Sequence, residues 1–184
     1  MNCQYWSVSF CALSLLVNHE AEGHARWKAG SLVSPPRDVA SGLKSPPCGG
    51  SAKTSTPRSF QAGEAITVEF EETINHPGYF EIRILGEGDA PVTGYTEPLA
   101  KIDDVQNNTI SGGRNHQYTA KITLPNIKCD GCSLQLIQYM TEDPNFPSKY
   151  YSCSDVSLVD NGTALPASVQ RPPKPMNLKI QRSP

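Results

Sequence analysis

Alternation of apolar and polar positions dominates the middle of this 184-residue chain. In AITVEFE, residues 65–71, the apolar side chains of Ile66, Val68 and Phe70 fall at every second place, and YFEIRIL, 79–85, repeats the pattern with Phe80, Ile82 and Ile84. A period of two sends successive side chains to opposite faces, so each segment reads as a half-buried strand. Between them ETINHPGY carries Pro77 and Gly78, a turn pair that leaves His76 at a strand end. YTAKITLP (118–125), SLQLIQYM (133–140) and YYSCSDVSLV (150–159) predict three further strands. No segment keeps a helical period over a helix length, and 16 prolines with 14 glycines favour short strands joined by turns. The expected fold is all-β, an immunoglobulin-like or fibronectin-like β-sandwich, with a long irregular N-terminal segment, 28–62, wrapped over it.

The ends of the chain read differently. YWSVSFCALSLLV, residues 5–17, is an apolar run too short to span a bilayer, which needs about 20 residues, and suited to the apolar region of a secretory signal. Ala21 and Gly23 are the small residues a signal peptidase reads at the third and first places before a cut, so residues 1–23 are expected to leave and His24 to become the first residue. The chain divides into a signal peptide 1–23, a domain 24–163 and a Pro-rich basic tail 164–184, whose five prolines and four basic residues without an acid predict disorder. The expected location is extracellular. Removing residues 1–23 takes Glu20 and Glu22 but no Lys or Arg, leaving 161 residues with 16 basic against 16 acidic side chains. A balanced chain has no electrostatic footprint for nucleic acid, and no membrane anchor is expected; the domain is expected to be a monomer.

Cys3 and Cys11 leave with the signal, and Cys48, Cys129, Cys132 and Cys153 remain, an even number for an oxidising compartment. Four cysteines allow three pairings. The favoured one joins Cys129 to Cys132 across CDGC and Cys48 to Cys153, against a redox dithiol or half a zinc site, the latter needing ligands from Cys48, Cys153 or His116.

An N-terminal histidine presents two nitrogens from one residue, the α-amine and ring Nδ1. With a second imidazole the set offers three nitrogen donors and open positions, a set that suits copper. His76 is the expected second imidazole. His116, in GGRNHQY, reads as a surface residue of a glycine-rich loop. Trp27 is placed either against a sugar ring or in the core. No G-x-S-x-G elbow is present, and Glu71 and Glu72, adjacent on a strand, face opposite ways and do not flank one bond, so a hydrolase finds no support.

The order HARW, PPR, PPCGG, ETINHPGYFEIRI, CDGCSLQLIQYM and YYSCSDVSL, over about residues 24–159, resembles the lytic polysaccharide monooxygenases and their unclassified secreted relatives. The resemblance implies one copper ion in a histidine brace of His24 and His76, with Tyr150 at the axial position and its neighbour Tyr151 as the alternative. It also implies oxidative cleavage of glycosidic bonds in chitin, cellulose or a related β-glycan, driven by an external electron donor with peroxide or dioxygen. The competing expectation is a secreted copper-binding protein with the same brace and no oxidation. Some members carry a Gln two residues before the axial aromatic; here that position is Ser148, and Gln135 or Gln138 on the preceding strand would supply the amide.

Overall fold

A computed structural model describes residues 24–28, 36–39, 43–54, 56–104, 115–143, 145, 148–160 and 176–177. The predicted signal peptide and most of the predicted tail lie outside the described residues. Nine strands are described: β1 Ala25–Trp27, β2 Arg58–Gln61, β3 Ala65–Glu72, β4 Gly78–Leu85, β5 Ala100–Asp103, β6 His116–Thr123, β7 Cys129–Met140, β8 Ser148–Val159 and β9 Met176–Asn177. They form a three-stranded sheet, β1-β3-β6, and a six-stranded sheet, β2-β8-β7-β4-β5-β9. The only helical element among the described residues is a 3-10 turn at Glu87–Asp89. The chain is an all-β sandwich of the immunoglobulin-like kind.

The alternation read in the sequence sets the faces. Val68 and Phe70 of β3, with Tyr118 and Ile122 of β6, pack against Phe80 and Ile82 of β4, Leu134 and Leu136 of β7, and Val156 and Leu158 of β8. Trp27 closes this core from β1. Its indole is fully buried, stands edge-on to Phe70 at 6.3 Å, and donates its ring N–H across the sandwich to the Leu134 carbonyl at 3.2 Å. Trp27 is therefore core, and the alternative of a sugar-stacking surface residue is excluded: a large ring next to an apolar strand gains more by burial, about 2–3 kcal/mol, than by exposure.

β7 and β8 are buried on both faces, which simple alternation does not predict. The cover on their outer face is the irregular segment: Pro36 bridges Ser154, the Arg37 amide donates to the Cys153 carbonyl at 2.8 Å, and the Tyr151 amide donates to the Leu43 carbonyl at 2.9 Å. The Cys48–Cys153 disulfide fastens this cover, and Cys129–Cys132 closes within the start of β7, where the register against β8 shifts. Closing a loop of 105 residues contributes roughly 4–5 kcal/mol in the chain-entropy model. Beside it the Arg37 guanidinium, 1% exposed, holds Asp89 through two hydrogen bonds of 2.7 and 2.6 Å, and bonds Asp155 and Ser133 as well.

Two short strands lie inside segments expected to be irregular or disordered. The segment 28–62 is not irregular throughout, since Arg58–Gln61 pairs in parallel with Val156–Val159 as an edge strand. Within the predicted tail, Met176–Asn177 pairs with Ala100–Lys101.

Candidate metal centre

One end of the sandwich gathers the three residues named from sequence. β1 pairs with the end of β3, Ala25 opposite Glu72, and the Thr73 amide donates to the His24 carbonyl at 2.7 Å, which fixes His24 beside the β3–β4 connection. That connection carries His76, whose amide donates to the buried Glu72 carboxylate at 3.2 Å. Tyr150 arrives from β8, opposite Gln138 of β7. The His24 ring lies 3.6 Å from the Tyr150 ring centroid and 4.7 Å from that of His76, nearly parallel to both at 7° and 10°. The Lys44 ammonium stands over the Tyr150 ring at 5.0 Å.

Electrostatics keep His24 neutral. Burial first, then the charges of His76 and Lys44, lower its pKa from 6.5 to about 4. Its Nδ1 is buried and has no hydrogen-bond partner among the described residues. A buried nitrogen lone pair left unpaired is costly in a folded protein, and a metal is one group that satisfies it. His24 also adopts φ +75°, the left-handed region, which costs an L-residue with a side chain about 1–2 kcal/mol.

The His76 ring is engaged at the other nitrogen. Its Nδ1 meets the Glu142 carboxylate at 2.6 Å, which leaves Nε2 for a ligand. The donor set of His24 and His76 therefore suits copper in kind. The two rings are stacked: parallel rings send their in-plane lone pairs along separate planes, so a shared ion requires one ring to turn. Among the described residues no group of three or more His, Cys, Asp and Glu side chains stands in metal-holding geometry.

Beneath the histidines lies a polar cluster centred on Glu72, which is fully buried. The Gln138 amide donates to one carboxylate oxygen at 2.9 Å; His116 Nδ1 lies 2.9 Å from the other, and the Tyr118 hydroxyl, 3.4 Å from that oxygen, donates to Asp104 at 2.6 Å. Burial, then the Asp104 charge, raises the Glu72 pKa well above the ordinary carboxylate range. His116 is thus not a loop-surface residue. It opens β6 in register with Glu72, and its side chain is 13% exposed. Of the two candidate amides, Gln138 reaches this cluster, whereas Gln135 donates to the Pro47 carbonyl beneath the N-terminal cover. Ser148 opens β8.

Glu72 and Glu142 were not identified from sequence. The alternation Ile66, Val68, Phe70 extends to position 72, so a carboxylate at the next inward place was the available signal for Glu72. Glu142 lies just beyond a strand end and carries no such signal.

Residues 11–156 match the family described as lytic polysaccharide mono-oxygenase, cellulose-degrading, and the chain belongs to that family. No curated protein sequence matches it. Among solved structures, a lytic polysaccharide monooxygenase from Thermobia domestica in the Cu(I) state is 19% identical with a TM-score of 0.38, the match covering 55% of this chain and 62% of that one. The chain thus spans less than two thirds of that relative. One from Streptomyces lividans is 14% identical over 74% of this chain and 83% of that one, with a TM-score of 0.40. A cellulose-active polysaccharide monooxygenase from M. thermophila is 16% identical over 79% and 71%, with a TM-score of 0.41.

Proposed function

We propose that this chain, cut after Gly23 and secreted, binds one copper ion through the His24 α-amine, His24 Nδ1 and His76, and oxidatively cleaves glycosidic bonds in a β-linked polysaccharide. The observation that carries the reading is the meeting of His24, His76 and Tyr150, drawn from three distant parts of the chain, with the buried His24 Nδ1 unpartnered among the described residues. The left-handed backbone at His24 supports processing at that bond. Cutting it removes the preceding carbonyl, and with it the steric clash that makes positive φ costly.

Copper, when bound, supplies one-electron redox chemistry with an external electron donor and peroxide or dioxygen. The protein's own residues do the rest. His24, held neutral, offers its lone pair without first losing a proton. Tyr150 covers one face of the His24 ring and restricts access from that side. Glu72 holds the His76 amide and so fixes the loop.

A specific observation favours the second reading, a copper-binding protein without oxidative activity: Trp27 is buried in the core, and the large hydrophobic residues exposed among the described ones are Val39 and Ile74, neither aromatic. Sugar rings stack best on exposed aromatic faces. The deciding experiment uses chain verified to begin at His24, loaded with copper, and incubated with cellulose, chitin, xylan or pectin plus reductant and peroxide. Oxidised oligosaccharides detected by mass spectrometry are the expected result. Tight copper uptake with no oxidised product from any of the four polymers assigns the second reading, and an N-terminus other than His24 removes the amine ligand and with it the brace.

A further inference from the structure

We propose that Glu142 is the positioning residue for His76, holding the imidazole in the tautomer with hydrogen on Nδ1 so that the Nε2 lone pair stays available to a metal. This rests on the copper-binding reading above. A neutral imidazole has one N–H donor and one acceptor nitrogen, and an ionised carboxylate only accepts. The 2.6 Å contact between His76 Nδ1 and Glu142 therefore places the hydrogen on Nδ1 of the neutral ring. Carboxylates bonded to the distal nitrogen of a ligating histidine fix its ring and raise its basicity in metal sites generally.

The contact is built into the sheet. β4 and β7 pair with Gly78 opposite Met140, and just beyond that pair the Thr141 amide and hydroxyl both donate to the Pro77 carbonyl, at 2.9 and 3.1 Å. A Cβ at position 78 would collide with the Tyr139 carbonyl, so this close approach requires glycine. The doubly bonded Pro77–Thr141 clamp brings the flanking residues His76 and Glu142 together. The Glu142 side chain is 47% exposed, and a polar contact that open adds little to folding stability. Its conformational freedom also lets it follow the His76 ring if the ring turns from its stack on His24.

The test reads the tautomer directly, by nitrogen-15 shifts of the His76 ring in metal-free protein at pH 8, above the ordinary histidine range of about 6.5. The parent is expected to carry hydrogen on Nδ1. Glu142→Ala should move it to Nε2, the form an unconstrained side chain prefers, while Glu142→Gln, whose amide oxygen still accepts, should keep it on Nδ1. Copper(II) binding to the parent and variants, starting at His24, is expected to weaken about 10–100-fold for Glu142→Ala and to stay near the parent for Glu142→Gln. Thermal melting should be unchanged in both. A Glu142→Ala ring still protonated on Nδ1, or unchanged copper affinity in that variant, overturns the assignment. A parent that shows the Nδ1–H tautomer but takes up no copper overturns the brace and leaves the Glu142–His76 coupling standing.

Discussion

The ends of this sandwich are built on opposite rules. Around Arg37 a buried cation meets Asp89, Asp155 and Ser133 in short hydrogen bonds, beneath a segment fastened by Cys48–Cys153. Around His24, nitrogen Nδ1 is buried without a partner among the described residues and the backbone sits at φ +75°, above a fully buried Glu72 whose pKa is raised despite its hydrogen bonds. Polar groups sealed in low dielectric are costly unless matched, so a folded chain keeps mismatches only where the rest of the structure can carry them. The first end supplies the stability against which the second keeps its unmatched groups.

The sharpest way to break that comparison is at Arg37. Arg37→Leu leaves Asp155 buried without its counterion and Asp89 with Lys53 alone, and is expected to cost about 3–5 kcal/mol in urea-induced unfolding while leaving copper affinity unchanged. A fall in copper uptake by the folded variant would show that the two ends are coupled. The reciprocal change is His76→Ala. It should weaken copper(II) by more than about 100-fold by competition titration, with the melting temperature held, because the residue lies on a connection rather than in the core. Equal binding by variant and parent removes His76 from the brace.

Acid titration gives the smallest effect of the three. Hydrogen bonds from Arg37 lower the Asp89 pKa from 3.8 to about 2. A depressed carboxylate contributes its full share, roughly 2 kcal/mol, above the unfolded value, and that share is lost as pH falls from about 4 through about 2. Stability of the parent should therefore drop across that window, and Asp89→Asn should flatten the drop. A parent with the same slope as Asp89→Asn would leave the Arg37 network without electrostatic weight.

β3 and β4 were legible because alternation over eight residues has one reading. β3 and β4 appear within a residue of their expected ends, whereas β7 and β8 end as expected but begin at Cys129 and Ser148, ahead of the expected 133 and 150. β1, β2 and β5, of three or four residues, are too short to show a period and form through their partners. His24 and His76 could be named because the expected cut and the HPG turn are local signals. The burial of His116 could not, because it depends on Glu72, which is 44 residues away in sequence. The N-terminal cover was expected to wrap the sandwich, but no period or composition marks Arg37 as the side chain that fastens it.

The cysteine connectivity bears on how the chain reaches its fold during synthesis. Cys48 leaves the ribosome 105 residues ahead of its partner Cys153, and Cys129 and Cys132 emerge in between as rival partners. Those two are three residues apart, and short loops close faster than long ones. Early closure of the CDGC bridge takes both rivals out of competition, so the small ring at the start of β7 protects the long-range pairing from error.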